Sequence, residues 1–499
     1  MNALYEKFLS YQERIAAFNM AFILLDWDQN TLAPKGASEK TSHLLGVLSE
    51  EFYRLATDPE YLSTVEALSK DETLAPDERE LIRRTLKDQR QMAALPSELY
   101  SRIAVANSRS VRAWEEAKKT NDFAHFAPFL KESISLTKEA ASYQNLEKLP
   151  IYDFLLDQYE EGFTTEKLDA FFGMLRERIV PLLKRCEAKN GEIRTDFMKK
   201  SYPVEKQREF NIELAKYIGF DMDRGVIAEY MHPFTTNLHK DDVRITTDYD
   251  EFAFDSAIFS TIHEGGHAMF EQDRVEKYAY VPASGFSMGL HESQSRLNEN
   301  MMGRSLAFWK PLYPKLQALF PENLSDVSLG EFYRAINRPE ASLIRCDADE
   351  LSYCLHIMIR YEMEKKIFLE NAPVEALPKL WNDLYREYLG VEVPDDAHGI
   401  LQDVHWSQGS FGYFPSYAIG NAIAAQIYHT MGKDFDIDAA LESGNANAIH
   451  EWLSAHIHKY GGILSVNDLL KQATGEDFNP RYFTDYLEDK YTKLYETAI

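Results

Sequence analysis

The chain has 499 residues, 45% of them hydrophobic and 27% charged, which suits a soluble globular protein that buries a sizeable core. Its 54 basic and 80 acidic residues give a net charge of −26. A surface this acidic repels nucleic acid and anionic membranes, so neither is expected as a partner.

At the N-terminal end, Met1 to Arg14 carries mixed charges, and the apolar run Ala16 to Leu25 stops at Asp26-Trp27-Asp28. That run is too short to cross a bilayer and has no basic segment before it, so neither a membrane helix nor a signal peptide is expected. Cys186, Cys346 and Cys354 lack metal-knuckle spacing. So sparse and odd a set predicts reduced thiols in a cytoplasmic protein.

Helix signals run along the whole chain. Pro76 precedes the acidic turn Asp77-Glu78-Arg79-Glu80 and a helical run to Leu95-Pro96. Thr164 or Thr165 caps a helix carrying Leu168, Phe171, Phe172 and Leu175. Ser465 with Asp468 resembles a capping box, and Asn479-Pro480 opens the last helix. With no repeat and no Pro/Gly/Ser-rich linker, residues 1–499 read as one large, mainly α domain.

The main exception is Gly225 to Thr247. Val226-Ile227 and Val243 to Thr247 are rich in β-branched residues, with turn chemistry between them at Asn237 to Asp242. A small hairpin is expected there. It either pairs with an extended peptide through its edge or only covers one end of the helices.

Next comes His263-Glu264-Gly265-Gly266-His267, an H-E-x-x-H pentad. Residues four apart on an α-helix differ by about 40° around the axis, so both imidazoles face one way and can grip one metal ion. Glu264 lies beside them, placed to polarise a metal-bound water. Each of the two glycines costs about 1 kcal/mol relative to Ala in a helix, which implies close approach by another backbone or a ligand. Glu292 lies 29 residues after His263, past a loop holding Pro282, Gly285 and Gly289. His263, His267 and Glu292 make a His₂Glu set with one coordination position left for water. A helix over Ser287 to Ser305 would aim Glu292 at the metal, with Glu299 as a rival ligand one face away.

Ala341 to Phe368 reads as one long helix that includes Cys346 and Cys354. Arg345 and Asp349, four apart, are either a plain ion pair or an Arg oriented to meet a carboxylate. Arg244 is a second candidate cation. Gly399 to Gly420 packs His405, Trp406, Tyr413, Phe414 and Tyr417 among glycines. His405 or a tyrosine hydroxyl suits the oxyanion of a tetrahedral intermediate. Trp406 and Phe414 read as aromatic core.

Taken together, these motifs resemble the carboxypeptidase Taq family, the thermostable carboxypeptidase 1 type of zinc metallocarboxypeptidase. The likeness starts at Leu24 to Pro34. It continues through His232-Pro233-Phe234, Asp242-Val243-Arg244-Ile245-Thr246, the pentad, His291-Glu292-Ser293-Gln294, Ile344 to Asp349 and Gly399 to Trp406. It implies a mostly helical molecule with a deep groove, similar to angiotensin-converting enzyme and neurolysin, one wall of it formed by helices within residues 1–200. It also implies a homodimer with one zinc per chain, cobalt being a substitute. The implied activity is release of single C-terminal amino acids from peptides with a free C-terminus, with broad preference and poor cleavage at proline. Carried over by motif, His263, His267 and Glu292 are the ligands and Glu264 is the base. His405 with Tyr413 or Tyr417 assists, and Arg345, Arg244 and His232 are the substrate-binding candidates.

Overall fold

The computed structural model describes residues 3–280 and 287–496, so Pro282 and Gly285 of the expected loop lie outside the described residues. The helix starts marked in the sequence do open helices. Pro76 begins Pro76–Ala94, and the Glu78 side chain accepts the Ala75 N–H at 3.0 Å. Thr164 caps Thr165–Glu187 by accepting from the Lys167 N–H, and Ser465 caps Val466–Thr474 by accepting from the Asp468 N–H.

The elements that build the site are, in chain order, α1 (Ala3–Thr31), α2 (Thr165–Glu187), α3 (Val204–Ile218), β1 (Gly225–Glu229), β2 (Thr235–His239), β3 (Asp242–Thr247) and α4 (Phe254–Gln272). They continue with α5 (Met288–Arg296), α6 (Tyr353–Phe368), α7 (Pro415–Asp434) and α8 (Arg481–Glu496).

The expected hairpin is instead a three-stranded sheet in the order β1-β3-β2. β1 runs parallel to β3, with Gly225 opposite Val243, while β2 is the antiparallel partner, with Thr235 opposite Ile245. Residues 237–239, read as turn, are strand with a bulge between Asn237 and His239. Turn-forming side chains are tolerated there because the β3-facing backbone groups of β2 pair with β3. Val243 and Ile245 of β3 are fully buried and pack on Ala215 of α3 and Ala268 of α4. The pentad helix thus lies directly under the sheet.

Two glycines let α4 sink into its surroundings. A β-carbon on Gly265 would lie 2.4 Å from Ile218 Cδ1 at the end of α3, and one on Gly266 would lie 2.5 Å from the Gln294 carbonyl oxygen of α5. The close approach implied by the sequence is therefore by backbone on one side and a side chain on the other. Gly420 of α7 plays the same part against Glu292, whose Cβ and Cγ would be 2.8 Å from an added methyl.

The start of α5 is held by the buried Glu160. Its carboxylate accepts the Gly289 N–H and the Ser287 hydroxyl, each at 2.6 Å. Burial pushes the Glu160 pKa up to about 7, against those hydrogen bonds. Past Arg296 the helix continues as a π-turn over Leu297–Met302. From α8, Lys490 donates to the Asn300 carbonyl in that turn and pairs with the buried Glu350 at 2.5 Å.

The long helix expected over 341–368 begins only at Tyr353. Arg345–Asp347 is a short 3₁₀ turn, so Cys346 and Cys354 do not share a helix. Asp349 ends the irregular stretch by accepting the N–H groups of Leu351 and Ser352. Ile344, Ala348 and Leu351 fall in that irregular stretch, while Leu355 and Ile359 lie in a helix buried on nearly every side.

Gly266→Ala should force α4 and α5 apart and lower stability by roughly 1–3 kcal/mol, the usual cost of overpacking. Gly173→Ala in α2, where an added β-carbon meets nothing within 4 Å, should be neutral or stabilise by up to about 1 kcal/mol. Urea midpoints of the two variants test the pair.

Candidate metal centre

His263 and His267 project from one face of α4, with ring centroids 5.0 Å apart. Glu292 of α5 meets them: its Oε2 is 3.8 Å from His263 Nε2 and 3.4 Å from His267 Nε2. The three ligand atoms lie within 4.8 Å of one another. Glu299 is not part of this trio. It lies seven residues past Glu292, on the same side of α5 and its π-turn, and takes the far nitrogen of His263, Nδ1, at 2.8 Å. It is therefore a partner of His263 and not the rival ligand that its spacing suggests.

The donor set can be tested for its fit to a cation. Burial opposes ionisation of Glu299, but Arg296, His263 and Arg304 together hold its carboxyl well below the usual range. An ionised carboxylate only accepts, so His263 carries a proton on Nδ1 and turns Nε2 toward Glu292. Burial opposes protonation of this imidazole, but the charges of Glu292 and Glu299 outweigh it and raise its pKa. Glu292 is likewise held ionised, burial being outweighed by Arg296, His263 and His267. Two imidazole nitrogens and an anionic oxygen therefore converge in a buried pocket. That arrangement suits a divalent cation with N/N/O ligation. The residues fit a metal.

Glu264 is buried next to this trio, and its Oε2 accepts the Thr235 hydroxyl of β2 at 2.6 Å. Burial raises its pKa, opposed by His263 and by Thr235. Among the described residues, a cavity of about 510 Å³ is lined by His263, Glu264, His267, Glu292, Tyr413 and Tyr417, together with Thr235 and Asn237 of the β2 edge. A second cavity of about 560 Å³ shares Ile23 and Asn237 with it and runs on between α1 and the β2–β3 turn.

Other sequence-selected residues stand behind the cavity lining. His405 Nε2 is 3.1 Å from the Tyr417 hydroxyl, and burial lowers its pKa to about 4 despite Asp403 nearby. Arg345 lies with its guanidinium 5.2 Å from the Tyr417 ring centroid. Its partner is not Asp349. With no helix across 345–349 the two are not on one face, and Arg345 Nε instead donates to Asp403 Oδ1 at 2.8 Å. Arg360 donates to the other oxygen of Asp403, also at 2.8 Å. Arg244 pairs with Asp242 and sits over Trp27, and His232 is exposed on the turn between β1 and β2. Trp406 and Phe414 are 5% and 1% exposed, which places both in the core.

Sequence reasoning missed Thr235, Arg296 and Glu271. Arg296 was legible in principle, four residues after Glu292 and three before Glu299, as was Glu271, four after His267 on the same helix. Thr235 was not, because only strand pairing brings it over Glu264.

A second group, Asp273, His450 and His458, also clusters within 4.8 Å. There Asp273 Oδ2 lies 2.8 Å from His450 Nε2 and 2.7 Å from His458 Nδ1. These are hydrogen-bonding separations. The cluster fastens the C-terminal end of α4 to the residues around 450–458.

A helix-borne His₂Glu trio beside a buried glutamate defines a metallopeptidase site. The chain belongs to the carboxypeptidase Taq (M32) metallopeptidase family, whose sequence model matches residues 7–491, and it is a metallocarboxypeptidase. It is 42% identical to carboxypeptidase 1 of Bacillus subtilis, over 98% of this chain and 99% of that one. To thermostable carboxypeptidase 1 of Thermus thermophilus it is 37% identical, over 99% of each. The crystal structure of an M32 carboxypeptidase from Deinococcus radiodurans R1 superposes with a TM-score of 0.94 at 34% identity, covering 99% of this chain and 100% of that one. Among the described residues no helix is long and apolar enough to cross a membrane.

Asp403→Asn should leave the buried Arg345 and Arg360 without the carboxylate they share and destabilise the fold by about 3–5 kcal/mol. Burial opposes ionisation of Asp403, but the two arginines hold its carboxyl far below the usual range. A depressed carboxylate stabilises the fold above its unfolded value of about 3.9, and this contribution fades as pH falls below that value. Urea midpoints from pH 7 down to pH 3 should therefore drop more steeply for the parent than for the variant.

Proposed function

We propose that the protein is a zinc carboxypeptidase that releases single C-terminal amino acids from peptides with a free C-terminus. Side-chain preference is broad and proline is cleaved poorly. The observation that carries this reading is the convergence of His263 Nε2, His267 Nε2 and Glu292 Oε2 beside the buried carboxylate of Glu264. His263, His267 and Glu292 would hold the zinc, one ion per chain. Bound there, zinc supplies a Lewis acid and lowers the pKa of a coordinated water.

Glu264 is the general base. Burial raises its proton affinity, and the Thr235 hydroxyl fixes one oxygen so that the other can take a proton. Glu264 then passes that proton to the leaving amine. Tyr417, backed by His405, and Tyr413 are the donors to the developing oxyanion. An extended peptide is held along the β2 edge, where Thr235, Thr236 and Asn237 line the cavity. The terminal carboxylate is anchored by Arg345, with Arg244 as the alternate and His232 as a further contact. The enzyme works in the cytoplasm as a homodimer.

Mass spectrometry of peptide digests over time tests the reaction. A ladder of single-residue losses from free-acid peptides, abolished by a chelator and restored by zinc, is the expected result. Release of dipeptides, or equal cleavage of amidated peptides, would overturn it.

Glu264→Gln should keep the metal, because Glu264 is not a ligand, while turnover falls by at least about 10²-fold. Metal analysis and kinetics on one preparation decide this. Arg345→Ala should lower kcat/KM on free-acid peptides by roughly 10- to 100-fold and matter far less for amidated ones. Equal losses on both would mean that Arg345 only braces Asp403 and Tyr417.

A further inference from the structure

The two imidazoles of the trio are backed differently. His263 hands its Nδ1 proton directly to a carboxylate, Glu299. His267 has no carboxylate at its far nitrogen. Its Nδ1 lies 2.6 Å from the Nδ1 of His291, and His291 Nε2 lies 3.0 Å from Glu271 Oε1. Glu271 sits one turn after His267 on α4 and is buried, with 4% exposure. Its other oxygen receives the Asn237 amide of β2 and faces Arg274 at 3.5 Å.

With Glu271 anionic and both imidazoles uncharged, these contacts fit a single set of donors and acceptors. Burial opposes ionisation of Glu271, yet His291, Arg274 and His267 hold its carboxyl below the usual range. An anionic Glu271 only accepts, so His291 donates from Nε2. A neutral His291 then offers a lone pair at Nδ1. Two ring nitrogens 2.6 Å apart need one hydrogen between them, so His267 supplies it from Nδ1. The lone pair of His267 is thereby placed on Nε2, the atom that faces Glu292 Oε2 at 3.4 Å.

We propose that His291 and Glu271 are positioning residues, a relay that fixes the tautomer and ring angle of His267 and so completes the metal site. Both ring nitrogens of His291 are taken up by His267 and Glu271, so it acts on the site through His267. It does for His267, at one remove, what Glu299 does for His263. Ring-on-ring packing supports the same arrangement. His291 lies 4.6 Å from the His267 centroid and 5.3 Å from that of Phe270, so it can neither turn nor slide. The relay also ends on Asn237 of β2, which ties the geometry of one metal ligand to the strand that edges the groove. This inference rests on the proposed metal site, and its test separates the two.

The test is the zinc dissociation constant of the metal-free full chain, measured by competition with a chromophoric chelator at pH 7, together with the visible spectrum of the cobalt-loaded protein. His291→Phe keeps the ring volume but removes both the acceptor for His267 and the donor to Glu271. Outer contacts of this kind typically change metal affinity by about 10- to 100-fold, and a loss of that size is expected here. The melting temperature of the metal-free protein should move little, and the cobalt bands should shift. His291→Asn, whose side-chain oxygen can replace the Nδ1 acceptor, should recover part of the affinity. Glu271→Gln serves as a second variant should His291→Phe fail to fold, and it too should weaken zinc binding. Parental zinc affinity and cobalt spectra in the folded variants would overturn the relay. Parental affinity in His267→Ala as well would show instead that the metal binds elsewhere, and the failure would then lie with the proposed site.

Discussion

Gly266 carries no side chain where the backbone of α5 lies against α4, and that missing methyl sets the distance between the two helices. Everything at the centre depends on it. The histidines come from α4 and the carboxylate from α5, so a shift between the helices separates the ligands by the same amount. Gly265 against Ile218 and Gly420 against Glu292 repeat the device on two further sides. The cost in helix propensity is about 1 kcal/mol for each glycine. It is offset by packing that brings α3 and α5 close against α4, and α7 close against α5.

Close packing buries charge, and the chain meets that burden with a stripe of alternating signs. Glu292, Arg296 and Glu299 follow one another at helical spacing, and Arg304 reaches back to Glu299 at 3.3 Å. Each carboxylate has a guanidinium partner, so both stay ionised in the interior, where an unpaired charge would cost several kcal/mol. The π-turn over Leu297–Met302 belongs to the same construction, because it turns Glu299 toward His263 while α8 supports the turn through Lys490.

The cavity has two unlike walls. On one side stand Tyr413 and Tyr417, backed by His405, Arg345 and the Asp403–Arg360 pair, all deeply packed. On the other lies the β2 edge, with Thr235 on Glu264 and Asn237 on Glu271. The first wall offers hydroxyl donors on a rigid base. The second offers backbone groups and places its side chains on the residues that surround His263, His267 and Glu292.

The sequence by itself determined what depends on spacing along one helix. Two imidazoles one turn apart, a glutamate beside the first and the caps at Thr164 and Ser465 all follow from 3.6 residues per turn, and each is read from neighbours in the chain. The glycines of the pentad announced a close contact without saying with what. Only the tertiary structure decided the rest. Arg345 chose Asp403, 58 residues away, over Asp349, four away, because the stretch between 345 and 349 is not helical. β3 took β1 as a parallel partner and β2 as an antiparallel one, which no run of β-branched residues specifies. Thr235 reached Glu264 across 29 residues, and Glu299 became the partner of His263 Nδ1. Local propensity is carried by the dihedral angles of adjacent residues, whereas these pairings are set by which surfaces can be buried together, a property of the whole fold.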